Sequence, residues 1–214
     1  MHPASLNEPT THQASKPAIH QQTPHRALTP DGTGLPGLNQ ADIGRLQIEH
    51  LAAQGHRHIG YAAQDDPRER PFCLPRLEGA TRACRALGLP TPHVVGMRYS
   101  RDSARDAVTE WTQGATPVTA VAAFNDLIAL AVLANCRTQH VGVPEDLALI
   151  GVDDLPMSSL AVPALTTIRM DLTAAAGNLT AGILSTVGAP APAPVAPGRP
   201  GPGDMLALIQ RETT

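Results

Sequence analysis

The sequence predicts an α/β protein built on doubly wound parallel sheets, and three observations carry that prediction. From residue 39 onward, apolar runs of strand length alternate with stretches of helix length. The runs "VTAVAAF" and "DLALIGV" are apolar throughout. Strands of that kind are buried on both faces, as in a parallel sheet between two helix layers. Two of the runs stop at short polar pairs, Asn125-Asp126 and Asp153-Asp154.

Each element follows in order. Residues 1–38 are rich in His, Gln, Pro and Thr without periodicity, and are expected to be a disordered tail. Gly32, Gly34 and Gly37 there satisfy G-x-G-x-x-G, but no strand precedes them and Pro36 interrupts them, so they read as a turn. Asn39 caps a helix with Asp42 in its first turn and Ile43, Leu46 and Leu51 as its apolar positions; Gly55 ends it. "RHIGYAA" is a strand. His56 and His58 lack a third ligand nearby and read as turn residues. A helix is expected over 74–87, with Leu74, Leu77 and Cys84 on one side and Arg76, Ala80 and Ala83 on another. "HVVGMRY" is the next strand. Ala104, Ala107, Val108 and Trp111 then mark a helix closed by Gly114. "VTAVAAF" is a strand, "DLIALAVLANCRT" a helix, and "DLALIGV" and "LTTIRM" strands. "LTAAAGNLTAGILSTV" is a helix, residues 189–203 a Pro/Ala/Gly-rich linker, and "MLALIQRET" a final strand.

Composition narrows the function. Only 2% of residues are aromatic, so Ala, Val, Leu and Ile must fill the core. A net charge of −3 lacks the basic balance of a nucleic-acid binder. Cys73, Cys84 and Cys136 are scattered and odd in number, which fits a reducing compartment and no disulfide framework. No secretory signal and no run of membrane-spanning length is seen, so a cytoplasmic protein without a membrane partner is expected. No G-x-S-x-G, H-E-x-x-H or Walker loop occurs, and neither an enzyme, a metal site nor a cofactor is expected.

The two polar pairs point to binding. In an open parallel sheet, ligands sit outside the carboxyl ends of the strands. Asn125 and Asp153 stand at two such ends, and Arg76 could add a planar donor fork. Together they suit a small polyol. Phe124, Tyr61 and Phe72 could offer a ring to a sugar face, or pack in the core. Asn and Asp after a strand are also ordinary caps and turn formers, so both readings stand here.

"LQIEHLAAQGHRHIGYAA", "PRLEGATRACRALGL", "FNDLIAL", "VGVPEDLALIGVDD" and "VPALTTIRMDL" resemble, in order and spacing, the effector-sensing domain of LacI/GalR-type transcriptional regulators. The resemblance covers about 39–187, and "LIQRETT" extends it. It implies a periplasmic-binding-protein-like two-lobe fold holding a sugar or nucleoside, with effector contacts at Arg76, Asn125, Asp153 and Phe124. It also implies a homodimer, with operator DNA as partner only where a longer form supplies a helix-turn-helix, since residues 1–38 show none. The expected division is a partial first lobe from 39–66 and 164–188 and a second lobe from 68–155 and 204–214. A truncated regulator is therefore the leading expectation. A stand-alone sugar-binding protein of periplasmic type is the alternative.

Overall fold

The computed structural model describes residues 38–172 and 205–214, with Ala176, Thr180 and Leu184 between them. The expected tail up to 37, the G-x-G-x-x-G stretch, most of the 172–187 helix and the 189–203 linker lie outside the described residues.

Asn39 does cap the first helix, α1 (Gln40–Ala53): its Oδ1 accepts from the Ala41 amide at 2.9 Å. Gly55, at φ 97°, lets the chain turn out of the helix into β1 (Ile59–Gln64). Helix α2 (Arg70–Ala86) begins four residues before the expected start. Pro71 sits in its first turn, where a missing N–H costs nothing, and Pro75 forfeits a single ladder bond. Its buried stripe is Cys73, Arg76, Gly79, Ala80, Ala83 and Cys84, whereas Leu74 faces solvent.

Strand β2 (His93–Met97) and helix α3 (Arg101–Gln113) follow. All four predicted apolar positions of α3, Ala104, Ala107, Val108 and Trp111, are buried. Strand β3 (Ala120–Ala123) runs into α4 (Asp126–Thr138), and β4 (Ala148–Val152) into a short unpredicted helix, α5 (Pro156–Leu160). Strands β5 (Thr166–Met170) and β6 (Leu206–Ile209) complete the described elements.

The sheet order is β2-β1-β3-β4-β5-β6. Strands β1 to β5 are parallel, and β6 closes one edge antiparallel to β5. This corrects the expected lobe boundaries: β1, assigned to the first lobe, lies between β2 and β3, and β5 lies between β4 and β6. All described strands share one sheet. Parallel partners are distant in sequence, and motif order alone says nothing of which strands pair.

Alternate residues feed two cores. Val121, Ala123 and Leu149 face α3 and α4, around Trp111, Ile128 and Val132. Ala120, Ala122, Ala148 and Ile150 face α1 and α2, around Ile43, Leu51 and Ala80. The α1 and α2 backbones nearly touch. A Cβ on Gly44 would lie 1.9 Å from the Arg76 carbonyl oxygen, and one on Gly79 1.9 Å from that of Ala41.

The last residues clasp the sheet from outside. Buried Thr213 donates its hydroxyl to Leu149 O (2.7 Å), and its carbonyl accepts from the Leu149 amide (2.8 Å). Its hydroxyl also accepts from the Thr166 amide at 2.9 Å. The Thr214 hydroxyl bonds both Thr166 Oγ1 and His50 Nε2 at 2.9 Å.

Candidate functional site

The carboxyl edge of the parallel strands gathers Arg76, Phe124, Asn125 and Asp153. Asn125 follows β3 directly and caps α4, its Oδ1 accepting from the Ile128 amide at 2.9 Å. Capping uses the oxygen alone. The amide nitrogen is turned to the edge, where it donates to the Tyr99 hydroxyl at 2.8 Å. The cap reading and the site reading of this residue are therefore compatible.

Arg76 is 5% exposed, rising from the second turn of α2. Nε donates to Gln40 Oε1 and Nη1 to the Phe124 carbonyl, both at 2.6 Å. Nη2 makes a long 3.9 Å contact with the Met170 sulfur. A guanidinium carries five N–H donors, so two remain beyond these contacts with described residues. Its carbon lies 4.7 Å from the Phe124 ring centroid, a cation–π contact. The Phe124 ring itself is buried, with the Arg76 guanidinium lying over it. Tyr61 is fully buried in the α1/α2 core, as the packing reading has it.

Asp153 leaves β4 with φ 113°, and Asp154 follows at φ 52°. Such left-handed backbone is uncommon outside glycine, and costs about 1–3 kcal/mol per residue where the surroundings enforce it. Two anchors enforce it here. The Asp153 amide donates to Ile168 O at 2.9 Å. The Asp154 carboxylate is gripped by Arg211 (2.5 Å) and Arg169 (2.8 Å). Burial alone would raise the Asp154 carboxyl; the two arginines outweigh it and hold it below its ordinary value. For Asp153, burial pushes the carboxyl up to about 6, with Arg76 pulling the other way and Asp126 and Glu69 adding to the rise. Burial lowers the Arg76 guanidinium, and the Asp153 charge is the main opposing influence. Arg76 and Asp153 thus feel one another across the edge.

Asp126 and Asp154, the second members of the two polar pairs, are structural. Fully buried Asp126 accepts from the hydroxyls of Thr167 and Ser158 (2.6 Å each) and from the Leu155 amide (2.9 Å). It ties α4 to β5 and to the loop that shapes Asp153.

Three participants escape sequence reasoning. Tyr99 lies beyond the end of β2 and holds the Asn125 amide; Gln40 orients Arg76; and Gln64, at the last position of β1, is buried at the same edge. An uncharged amide and an isolated tyrosine carry no motif. Among the described residues, no cluster of His, Cys, Asp and Glu could hold a metal ion, and no helix is long and apolar enough to cross a membrane.

Comparison with known proteins shows the family. The family model "Periplasmic binding protein-like domain" matches residues 48–213, more than half of the chain. The chain is 32% identical over 123 residues to the HTH-type transcriptional repressor CytR of Escherichia coli K12, covering 56% of the chain and 36% of that protein. It is 30% identical over 133 residues to the repressor PurR of Aliivibrio salmonicida, covering 61% of the chain and 39% of that protein. The chain thus spans little over a third of the length of these relatives. Among solved structures, a complex of the transcriptional regulator CelR with cellobiose superposes with a TM-score of 0.66 at 27% identity, over 83% of this chain and 53% of that one. A lac repressor dimer bound to operator and the anti-inducer ONPF gives 0.66 at 23% identity, over 83% and 59%.

Proposed function

Because the chain belongs to the periplasmic binding protein-like domain family, in the form carried by LacI-type transcriptional regulators, we propose that it is an effector-sensing unit whose ligand sits on the carboxyl edge of the sheet. The observation that carries this reading is the buried Arg76 guanidinium, held by neutral acceptors beside Asn125 and Asp153 with donors to spare. Arg76 donates to ligand hydroxyls, the Asp153 carboxylate accepts from them, and Asn125 does either. Such a set suits a sugar or the sugar of a nucleoside. Relatives such as the lac repressor work as dimers on operator DNA. The same assembly is proposed for a form of this protein that carries a DNA-reading unit. Effector control then requires that the ligand bind two arrangements of the dimer unequally. The second copy is proposed to sit on an exposed apolar face. Leu127, Met157, Leu160 and Val162 are exposed on α4, α5 and the turn after it, Leu160 and Val162 at 79% and 81%. Exposure of large apolar side chains at these positions supports an interaction site there.

A thermal-shift screen against monosaccharides, disaccharides and nucleosides tests the reading. A ligand at a hundredfold excess over its Kd stabilises by about 2.7 kcal/mol. The shift is expected to vanish in Asp153→Asn and Arg76→Lys. A full shift in both variants, or none with any class in the parent protein, overturns the assignment.

A further inference from the structure

Helix α1 buries two glutamines, Gln40 and Gln47. They stand two helical turns apart, on the face that also carries Ile43 and Leu51. Gln40 holds Arg76 at Nε. Gln47 reaches the sheet instead. Its Nε2 donates to the Ala123 carbonyl at 2.9 Å, to that of Gly151 at 3.3 Å and to that of Ile150 at 3.4 Å. An amide nitrogen has two hydrogens, so Ala123 takes the short bond and the two β4 carbonyls share the other hydrogen.

The place of those carbonyls gives the contact its meaning. The β3–β4 ladder pairs Ala120 with Ala148, Val121 with Leu149 and Ala122 with Ile150, and ends there. Ala123 and Gly151 come next on the two strands, where the ladder no longer sets their spacing. Asn125 follows Ala123 across Phe124 alone, and Asp153 follows Gly151 across Val152 alone. The other face of Gly151 is closed as well, since a Cβ there would collide with Asp126 Oδ1. The end of β4 is thus held from both sides. Gln47 Oε1 has no hydrogen-bond partner among the described residues. Turned over, the amide would set that oxygen against three others, so the carbonyls fix its orientation. A buried amide left half unsatisfied costs stability, and native proteins rarely keep one without a reason. An apolar residue would pack this face of α1 too, but it could not tie two strands together.

We propose that Gln47 is a positioning residue of the effector site: its amide fixes the spacing between the ends of β3 and β4, and with it the separation of Asn125 from Asp153. Both groups must meet one guest at once, and a misplacement of about 1 Å is enough to spoil such a fit. Helix α1 then acts as a template. Gln40 holds Arg76, and two turns on Gln47 holds the strand ends that deliver the other two groups. This inference rests on the carboxyl edge being the effector site.

Carbon-13 NMR of the aspartate carboxyls in the full chain tests it, with Asp153 identified by the signal lost in Asp153→Asn. Gln47→Met keeps the length and helix propensity of the side chain and removes the donor. In the parent protein, burial holds the Asp153 midpoint at about 6, with Arg76 opposing and Asp126 and Glu69 adding to the rise. In Gln47→Met the strand end is released toward water, and the midpoint is expected to fall toward the ordinary value of about 3.9. Calorimetric titration gives the second readout. The monosaccharide, disaccharide or nucleoside of the screen that binds the parent most tightly should bind Gln47→Met at least tenfold more weakly. Ile48→Val, a change of packing alone in the same turn of α1, should leave the midpoint in place and the affinity within about twofold. A midpoint that does not fall in Gln47→Met, an affinity there within about twofold of the parent, or equal changes in Ile48→Val overturns the positioning role while leaving the effector site standing. Absence of binding by every compound overturns the effector site itself, and the positioning role with it.

Discussion

Arg76 and Phe124 hold each other twice: Nη1 donates to the Phe124 carbonyl at 2.6 Å, and the guanidinium lies 4.7 Å from the centroid of the same residue's ring. The strand end that delivers Asn125 is therefore fastened to the charge beside it. Any shift of α2 is passed directly to the cap of α4.

Lysine at position 76 keeps the charge but loses the planar fork. It can reach Gln40 or the Phe124 carbonyl, but not both with the geometry of a guanidinium. Arg76→Lys is expected to lower stability by about 1–3 kcal/mol, because a buried acceptor is left unpaired. Ligand affinity should fall at least tenfold. Thermal unfolding and calorimetric titration check the two effects.

Asp153 predicts a pH dependence. Its carboxyl sits at about 6 in the folded protein, against an ordinary value of about 3.9. Between these values the folded state holds the proton more tightly than the unfolded chain, so this group's contribution to stability falls as pH rises from about 4 to about 6. The span corresponds to roughly 2–3 kcal/mol, and Asp153→Asn should remove that part of the slope. Hydroxyl recognition needs the carboxylate, so affinity should drop about tenfold between pH 7 and pH 5. Denaturation and titration across that range give both numbers.

The α1–α2 contact leaves no room for a methyl group, since a Cβ at Gly44 or Gly79 would lie 1.9 Å from a backbone oxygen. Gly44→Ala and Gly79→Ala are each expected to cost about 3 kcal/mol, at the top of the usual range for overpacking, despite the better helix propensity of alanine. Urea denaturation reads the loss. Because the Gly44 clash falls on the carbonyl of Arg76, this variant should also weaken the ligand.

Asp126→Ala strands two hydroxyls and the Leu155 amide in the interior. A loss of about 2–4 kcal/mol is expected, with faster hydrogen exchange at Leu155.

Leu160→Glu with Val162→Glu places charge on the exposed apolar face without touching either core. Sedimentation should show dimers in the parent protein and monomers in the double variant, with the melting temperature of the isolated monomer unchanged within about 2 °C.

Much of this arrangement is legible in the residues because local chemistry announces it. Asn39 and Asn125 cap where caps are expected, and α4 spans the predicted segment. The buried positions of α3 match their periodicity. Arg76, Asn125 and Asp153 do reach one edge, since a parallel sheet delivers every strand terminus to the same side. What stays illegible is non-local. Which face of α2 is buried depends on Gly44 of another helix. The pairing of β1 with β3 rather than with strands of a separate lobe is a long-range choice. Helix α5 is too short for a period to show, and Gln64 and Tyr99 matter only through what lies across from them.

Closure by Thr213 has a consequence for how the molecule is made and handled. Both backbone groups of Leu149 wait for a residue synthesised 64 positions later. A nascent chain that has not yet delivered Thr213 leaves Leu149 without these two bonds, so this part of the sheet completes late in synthesis. For the same reason a purification handle fused straight after Thr214 would tug on His50 and Thr166, whereas one placed ahead of residue 38 leaves that fastening alone.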